Sequence, residues 1–436
     1  MQVFPIQSEL FPYEYDLLYL RIYNKLSNFA AENKSCISNP RFRTMKILFV
    51  IDTYDTGNNG TSISAQRFAA ELRSRGHEVM ILTTGEPGEH RFNVPDFHMP
   101  LFQPLMDKHD FNFAKFWGDK ALDIIHKAVD RADIVHCFLP FALETTAQRY
   151  AQRTGKPCTG AFHIQPENMT SSVNLGKVTW VNELFYQQFR FNMYNNFRHV
   201  HCPSQFMADM VIERGYTAKM HVISNGIQDA FLEAGKHHID CGKPARRPEF
   251  EGKKVIMMVG RLSQEKRQDV IINAVQYSRY ADQIQLVFAG NGPEKEKYEE
   301  LGKTLKYPPM FVYLSREQLI DMLGQVDVYV HASDMESEAI SCIEAFATAL
   351  VPVIANSEVS ATPQFALDGR SLFLPGNPKD LARAWDYWLD HPNERKYMEQ
   401  LYYQSAQRYS LSNSVTLFEA MLREEIDDCR RIAMTP

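Results

Sequence analysis

The stretch VDVYVHASDMESEAISCIEAFATALVPVIA, residues 326–355, holds two short apolar runs on either side of a segment with helical character. A strand, a helix and a second strand in this order predict one βαβ unit of a parallel sheet. Glu336 follows the first run, and Glu344 lies in the first turns of the predicted helix. Because ligands of open parallel sheets bind beyond the carboxyl ends of the strands, both carboxylates are candidates for a binding site.

The same alternation of near-continuous apolar strands with helices recurs along most of the chain. It starts with MKILFVID at residues 45–52, loses its pattern in the polar segment 226–253, and restarts with VIMMVGR at residues 255–261. Strands of this kind are typical of parallel sheets covered by helices on both faces. We therefore predict an α/β protein with two Rossmann-like domains whose parallel sheets face a central cleft, and we interpret residues 226–253 as a linker.

The predicted organisation has four parts. Residues 1–44 form an N-terminal extension, which is either a helix packed on the body, a helix on a membrane surface, or an upstream misassigned start. Residues 45–228 form the N-terminal domain and residues 229–400 the C-terminal domain. Residues 401–436 form a helical tail that we expect to pack back across the domains.

Composition narrows the functional classes. The net charge of −6 gives no global reason to expect nucleic-acid binding. The sequence has no apolar run of membrane-spanning length and no signal peptide at its start. The seven cysteines form no CxxC pair, which favours reduced thiols in a cytoplasm over disulfides or a zinc site.

Two segments at predicted strand ends carry groups suited to a phosphate. VGRLSQEKRQD, residues 259–269, places Arg261 and Lys266 before a helix, where two cations suit a diphosphate. FAGNGPEKEKYEEL, residues 288–301, contains Gly290, which would let the backbone pass close to a ligand or would simply make a turn. Each segment alone is equally compatible with an ordinary surface loop.

The opening stretch and one histidine complete the set of candidates. Glu344 could bind a ribose diol and Glu336 sugar hydroxyls, whereas the backbone N–H groups of residues 337–340 could meet a phosphate. The plainer alternative is a helix with surface glutamates. His163 ends the predicted strand in TGAFHIQPENM, where a structural role is the alternative to a site at the cleft.

Together these motifs resemble the retaining family-4 glycosyltransferases of GT-B fold. The pattern is R-x4-K, then GxGP, then E-x7-E, and the segments RSRGHEVMILTT, HVISNGIQDAF and DGRSLFLPGNPKDLARA are also similar to family segments. The resemblance covers roughly residues 45–400.

The resemblance implies a role for each candidate. Arg261 and Lys266 would hold the donor diphosphate, Glu344 the ribose, and Glu336 and His163 the donor sugar. Catalytic roles would fall to His163, Arg261, Lys266 and Glu336, and nucleotide-sugar binding to Gly60, Gly260, Arg261, Lys266, Gly290, Val312, Tyr313, Glu336, Ser337, Ala339, Ile340 and Glu344.

The reaction implied is transfer of a hexose from a UDP-glucose-like or GDP-mannose-like donor, with retention and without a metal or other cofactor. The sequence contains no Asp-x-Asp pair, which the other glycosyltransferase fold uses to bind metal. Where the family has a Gly-Phe-Gly-like step, this chain has Ser337, Glu338 and Ala339, and it has Arg267 in place of another family glycine. We expect Glu338 to point away from the phosphate or to bind the acceptor.

The acceptor is left open between a lipid and a saccharide. The first-domain loop DTYDTGNNGTSISAQRFAAEL is similar to that of bacterial diacylglycerol glucosyltransferases, and the aromatic segment 178–199 would suit a membrane surface or a lipid. A core helix is the alternative for that segment. The predicted location is cytoplasmic, with peripheral contact at the inner membrane face as an option, and no nucleic-acid partner is expected.

Three other classes of protein compete with the glycosyltransferase interpretation. A Rossmann dehydrogenase requires GxGxxG after the first strand, which DTGNNGTS does not supply. A nucleotide-sugar epimerase of the same two-domain fold and a non-catalytic relative that binds a partner through the cleft both remain as alternatives.

Overall fold

The computed structural model describes residues 44–55, 60–85, 88–97, 113–171 and 178–434. The predicted N-terminal extension, apart from its last residue, lies outside these ranges. Residues Lys46–Pro436 form one compact unit. In the described ranges, every cysteine is a free thiol and no helix combines the length and apolarity needed to cross a membrane.

The N-terminal half is built on a seven-stranded parallel sheet with the strand order β3-β2-β1-β6-β7-β8-β9. The pair β4 and β5 forms a small antiparallel ribbon. The strands are β1 (Lys46–Val50), β2 (Glu78–Thr83), β3 (Arg91–Asn93), β4 (Asp96–Phe97), β5 (Phe113–Ala114), β6 (Ile134–Cys137), β7 (Cys158–Ala161), β8 (His199–Cys202) and β9 (Lys219–Val222). The helices are α1 (Gly60–Ser74), α2 (Asp119–Arg131), α3 (Ala142–Arg153), α4 (Pro166–Ser171), α5 (Thr179–Asn192) and α6 (Gln205–Glu213).

The C-terminal half repeats the plan with a six-stranded parallel sheet in the order β12-β11-β10-β13-β14-β15. The strands are β10 (Lys254–Val259), β11 (Ile284–Ala289), β12 (Met310–Val312), β13 (Val328–His331), β14 (Pro352–Ala355) and β15 (Leu372–Phe373). The helices are α7 (Asp229–Cys241), α8 (Gln268–Ala274), α9 (Lys295–Gly302), α10 (Arg316–Leu323), α11 (Ile340–Ala347), α12 (Pro378–Asp390), α13 (Pro392–Ala406) and α14 (Leu411–Met434). The prediction of two Rossmann-like domains with parallel sheets is therefore confirmed.

Both sheets have apolar cores of the kind that two covered faces require. Every residue of β6, β11, β13 and β14 is buried, which explains the unbroken apolar runs in the sequence. Trp385 and Trp388 on α12 are the largest fully buried side chains of the C-terminal core. The apolar runs thus mark strands that are covered on both sides.

The predicted linker 226–253 runs between the two sheets, but it contains a helix that the prediction did not include. Residues 229–241 form helix α7, which packs on α11 so closely that a Cβ at Gly235 would lie 1.9 Å from the carbonyl oxygen of Ala347. The polar, glycine-containing sequence misled the prediction because α7 buries only one side, through Phe231, Leu232 and Gly235. A glycine at the contact allows the two backbones to approach.

The last helix returns to the N-terminal domain. Phe418 of α14 packs edge-on against Phe68 and His136, with ring centroids 5.2 and 4.7 Å apart. On the same helix, Glu419 accepts a hydrogen bond of 2.8 Å from Arg75. The predicted domain boundary at residue 400 falls inside helix α13, so the chain leaves the C-terminal domain later than the sequence indicated.

Candidate active site

The loops that follow β10 and β13 are held side by side. These two strands are neighbours in the sheet, and the backbone N–H of Asp334 donates to the carbonyl oxygen of Glu265 at 2.8 Å. Arg267 adds an ion pair to Asp334, with 3.1 Å between the closest atoms. This bracing places the Lys266 loop directly against the Glu336 loop.

Lys266 and Glu336 meet at the carboxyl ends of the two strands. Their ammonium and carboxylate groups are 2.5 Å apart. The same carboxylate oxygen lies 3.0 Å from Nε2 of His331, the buried last residue of β13. Burial alone would raise the pKa of Glu336, but the charge of Lys266 and the hydrogen bond from His331 hold it well below its ordinary value. Glu336 is therefore a carboxylate at neutral pH.

His331 is a residue that sequence reasoning missed. Its signal was a single histidine at the end of the apolar run VDVYVH, a position that also suits a satisfied core histidine. Ser333 Oγ lies 3.2 Å from the same ring nitrogen. The structure thus adds a second group that fixes the orientation of the Glu336 carboxylate.

The glycines of FAGNGPEKEKYEEL lie where two stretches of backbone pass very close to each other. A Cβ at Gly290 would lie 2.0 Å from the carbonyl oxygen of Gly260, and one at Gly292 would lie 2.3 Å from that of Leu262. The strand-end loops after β10 and β11 therefore pass each other in a way that only glycine permits. Arg261 is exposed at this crossing, and its carbonyl oxygen accepts from Gln268 at 2.8 Å.

Two positions where the resemblance implies glycine, Ala339 and Arg267, have a left-handed backbone. Ala339 has φ +67° and ψ +65° immediately before α11, and Arg267 has φ +56° and ψ +39° before α8. Residues with a Cβ seldom adopt this left-handed region because it is sterically costly. Both loops therefore carry local strain at positions where glycine would have none.

Glu338 is bound between the two halves of the chain. Its carboxylate accepts hydrogen bonds from the backbone N–H of Asn225, at 3.0 Å, and from the Asn225 side chain, at 2.7 Å. Burial raises the pKa of Glu338 to about 7, against the lowering effect of hydrogen bonds from Ser224 and Asn225. This carboxyl group ties the loop of Glu336 to the turn where the chain enters the C-terminal half.

Glu344 is buried on α11 and pairs across the cleft. Its carboxylate lies 3.5 Å from the guanidinium of Arg67 on helix α1. Burial raises the pKa of Glu344, and the charge of Arg67 and its hydrogen bond work in the opposite direction. The sequence did not identify Arg67, although this residue lies in the quoted segment DTYDTGNNGTSISAQRFAAEL, because its partner is on a helix of the other domain.

His163 lies two residues beyond the end of β7 and is buried. Its ring stacks on Phe138 at 5.8 Å and meets His201 edge-on at 4.8 Å. Burial, and then the neighbouring His201, lower the pKa of His163 well below its ordinary value. Its Nε2 is buried and has no hydrogen-bond partner among the described residues.

The other candidates lie at the ends of helices and strands of both domains. Gly60 is the first residue of α1, Ile340 the first of α11, and Val312 the last of β12. The Val312 carbonyl already accepts from Gly290 at 2.8 Å, and the Tyr313 side chain is 79% exposed. Ser337 accepts from the Ser204 hydroxyl of the N-terminal domain at 2.7 Å.

Several buried polar atoms along this interdomain boundary lack partners within the described ranges. They are Arg67 Nη1, His163 Nε2, Gln165 Oε1 and Asn225 Oδ1. Gln165 donates to the Val359 carbonyl at 3.4 Å, so it too spans the two halves. Native proteins satisfy nearly all buried polar groups, so these atoms are unusual at this boundary.

Helix α5 presents aromatic side chains outward. Trp180 and Phe191 are 73% and 64% exposed, and Leu184 between them is 62% exposed. The opposite side buries Tyr186 and Phe189. One face of α5 therefore packs on the core, as one interpretation expected, and the other face exposes apolar side chains.

Arg198 takes no part in that surface. It forms an ion pair of 2.5 Å with Glu425 of α14. The other arginine of the segment, Arg190, lies 4.4 Å above the Phe191 ring and donates to the Arg214 carbonyl at 2.6 Å.

Two family models match the chain. The model for glycosyl transferases group 1 matches residues 243–429, and the model for glycosyltransferase family 4 matches residues 58–231. Each match falls on one of the two Rossmann-like domains, and together they leave only short segments and the extension uncovered.

Curated relatives agree with these models. An alpha-monoglucosyldiacylglycerol synthase from Streptococcus pneumoniae is 24% identical over 72% of this chain and 71% of its own. A GDP-mannose-dependent alpha-mannosyltransferase from Corynebacterium glutamicum is 22% identical over 72% of each chain.

The solved structure of Anabaena HepE shares the fold. Anabaena HepE in complex with UDP superposes with a TM-score of 0.66 at 16% identity, covering 87% of this chain and all of its own. The catalytic domain of cholesterol-alpha-glucosyltransferase from Helicobacter pylori is 46% identical over 36% of this chain and 99% of its own, with a TM-score of 0.35. With the paired parallel sheets, the strand-end cluster and both family models, the chain belongs to the group 1, family 4 glycosyltransferases of GT-B fold.

Proposed function

We propose that the protein transfers a hexose, with retention of configuration and without a metal, from a nucleotide-diphosphate sugar to a hydroxyl group of a lipid or saccharide. The donor is UDP-glucose-like or GDP-mannose-like. The observation that carries the proposal is the contact of Lys266 with Glu336, because it joins a cation and an ionised carboxylate where a sugar diphosphate would enter.

Positive charge is what the leaving group needs. A nucleoside diphosphate departs with its negative charge on the phosphate oxygens, and cations and helix N-termini stabilise such charge. Arg261 and Lys266 follow β10. The backbone of residues 337–340 follows β13, the strand next to β10, and leads into α11. Together they supply the stabilisation that a divalent cation provides in other enzymes, and the missing Asp-x-Asp motif agrees with this.

The carboxylates bind the two ends of the donor. Glu336, ionised and oriented by His331, accepts hydrogen bonds from sugar hydroxyls. Glu344 binds the ribose, and the orphaned His163 Nε2 contacts the sugar from the N-terminal domain. We propose front-side attack by the acceptor through an oxocarbenium-like state, which retains the anomeric configuration.

A lipid hydroxyl is the acceptor class that the surface favours. The exposed Trp180, Leu184 and Phe191 on α5 suit the boundary between headgroups and acyl chains. A groove of about 290 Å³ borders the other side of this helix, and its lining mixes aromatic side chains such as Phe116 and Phe189 with polar ones such as Arg149 and Gln188. The protein would then work in the cytoplasm, in peripheral contact with the inner membrane face.

A matrix of donors and acceptors tests the proposal. The protein is incubated with UDP-glucose, UDP-galactose or GDP-mannose and with diacylglycerol, a sterol or an oligosaccharide. Nucleoside diphosphate release, product mass and the anomeric coupling in the product NMR spectrum are measured. We expect one donor to give a product whose anomeric configuration equals that of the donor.

The same matrix separates the alternatives. An epimerase changes the sugar without an acceptor-dependent product, and a non-catalytic relative gives neither. An inverted product contradicts the retaining mechanism, and activity that disappears with EDTA contradicts metal independence.

A further inference from the structure

Two histidines and a glutamate converge where the last helix meets the outer strands of the N-terminal sheet. His199 begins β8, His221 lies on the edge strand β9, and Glu424 belongs to α14. One ligand atom from each residue lies within 4.8 Å of the other two. We propose that this cluster binds one transition-metal ion of the Zn²⁺ class and thereby fastens α14 to the sheet.

The ligand types select the metal class. Two imidazole nitrogens and one carboxylate oxygen suit Zn²⁺, Co²⁺ or Ni²⁺, whereas Mg²⁺ and Ca²⁺ prefer oxygen ligands alone. Three protein ligands leave a fourth tetrahedral position for water. The His199 side chain is buried, and Glu424 is partly exposed, so an ion can enter from the helix side.

His199 is oriented as metal-binding histidines are. Its Nε2 lies 2.9 Å from a carboxylate oxygen of Asp428, one helical turn beyond Glu424. A carboxylate on one ring nitrogen fixes the tautomer and leaves the other nitrogen as an electron-pair donor, which is the usual arrangement behind a metal ligand. That other nitrogen, Nδ1, points at Nε2 of His221, 2.8 Å away.

The spacing of the two imidazole rings requires only a small adjustment, and the Glu424 carboxylate, which lies within 4.8 Å of them, must move closer as well. Two ligands of a tetrahedral ion with bonds of about 2.0–2.1 Å are about 3.3 Å apart. The two ring nitrogens must therefore separate by about 0.5 Å to admit the ion. In the absence of metal, one proton shared between the rings satisfies both nitrogens. This proton and a metal ion therefore exclude each other from the space between the two rings.

Lys219 acts as a built-in competitor. Its ammonium lies 2.6 Å from the Glu424 carboxylate, where it neutralises the charge that a metal would neutralise. Removing this ammonium frees the carboxylate, so metal affinity should increase. If the contact of Lys219 with Glu424 were only a surface salt bridge, removing the ammonium would not be expected to change metal affinity.

This site is separate from the donor site. His199 is at the amino end of β8, whereas the donor groups lie beyond the carboxyl ends of strands: His163 follows β7 of the same sheet, and Arg261, Lys266 and Glu336 follow strands of the other sheet. The proposal therefore does not rest on the proposed function. Metal binding should raise thermal stability and leave glycosyl transfer without EDTA sensitivity.

Calorimetric titration of Zn²⁺ into the full chain, previously stripped with EDTA, tests the proposal. We expect one site per chain and a higher melting temperature with Zn²⁺, but no effect of Mg²⁺. Glu424→Gln and His221→Asn should each lower the affinity by at least about tenfold, as should Asp428→Asn through the orientation of His199. Lys219→Met should raise it, and the Co²⁺ form should show the intense visible absorption of a tetrahedral ion.

Matched controls separate this site from adventitious binding. Asp427→Asn on the same helix and His237→Gln on an exposed surface should leave the affinity unchanged. Absence of Zn²⁺ binding to the wild-type chain overturns the proposal, as does binding that Glu424→Gln leaves intact. Glu424 and Lys219 are partly exposed, so these two variants decide the matter even if His221→Asn fails to fold.

Discussion

Lys266 Nζ lies 2.5 Å from Glu336 Oε1, although 70 residues separate the two in the sequence. The contact exists because β10 and β13 are neighbours in the sheet and their following loops are braced by Arg267 and Asp334. Lys266 is thus positioned by a carboxylate before any substrate arrives. When a diphosphate enters, the same ammonium can be shared between Glu336 and the phosphate oxygens.

Replacing Lys266 by alanine should lower turnover about a hundredfold or more, corresponding to about 3 kcal/mol of lost transition-state stabilisation. The reason is that the departing diphosphate loses one of its two cations. Release of nucleoside diphosphate under saturating donor measures the effect. Lys297→Ala, an exposed lysine of α9, is the control and should leave turnover unchanged. Equal turnover in Lys266→Ala and wild type would remove Lys266 from the mechanism.

His331→Leu should move the acid limb of the pH profile of kcat/KM to higher pH. His331 and Lys266 hold the pKa of Glu336 low against the effect of burial, so removal of His331 lets that pKa rise. Activity needs the carboxylate, and a higher pKa means that protonation abolishes activity at a higher pH. His331→Gln keeps a hydrogen-bond donor and should give a smaller shift. An unchanged acid limb in His331→Leu contradicts the orienting role.

Ala339→Gly should stabilise the protein by roughly 0.5–1 kcal/mol. Relief of the left-handed backbone at Ala339 is worth about 1–2 kcal/mol, and the greater freedom of glycine in the unfolded chain offsets part of it. The midpoint and slope of urea unfolding measure the change. Ala234→Gly, inside helix α7, is the opposite case and should destabilise by about 1 kcal/mol. Destabilisation by both substitutions would show that Ala339 is unstrained.

Much of the fold was readable because it depends on local pattern. Near-continuous apolar strands such as β6 and β11 announce a sheet covered on both faces, and the confirmed fold follows from that pattern. Helix α7 was misread since a glycine at a tight helix contact looks the same in sequence as a glycine in a loop.

The candidate site was readable only where the resemblance to the family assigns a role to a residue. The family spacing pointed to Lys266 and Glu336, and the structure brings them into contact. Arg67, His331 and Asn225 were missed, because each reaches its partner through the arrangement of strands or of the two domains. The cluster of His199, His221 and Glu424 was invisible for the same reason, since its members come from two strands and a distant helix.

The buried Glu338 should make stability depend on pH. Its pKa is about 7 in the folded chain, above the ordinary value of 4.5, so the folded state binds the proton more tightly than the unfolded state. Its contribution is therefore fully present below about pH 4.5 and is lost as the pH rises through about 7. Glu338→Gln removes this dependence.

The difference between the two unfolding free energies isolates Glu338 from other titrating groups. We expect wild type to lose on the order of 3 kcal/mol relative to Glu338→Gln between pH 5 and pH 8. Urea unfolding at several pH values gives the numbers. A difference that stays constant over this range contradicts the assignment of a protonated Glu338.

Binding of nucleoside diphosphates tests the central claim most directly. UDP, GDP and ADP are titrated by calorimetry into the wild-type chain and into Arg261→Ala and Lys266→Ala. We expect the wild type to bind one of these nucleotides at one site. The affinity should be at least about tenfold weaker in each variant, because a charge-assisted contact to phosphate is lost. Binding that both variants leave unchanged, or no binding of any of the three nucleotides, would contradict a donor site built on Arg261, Lys266 and Glu336.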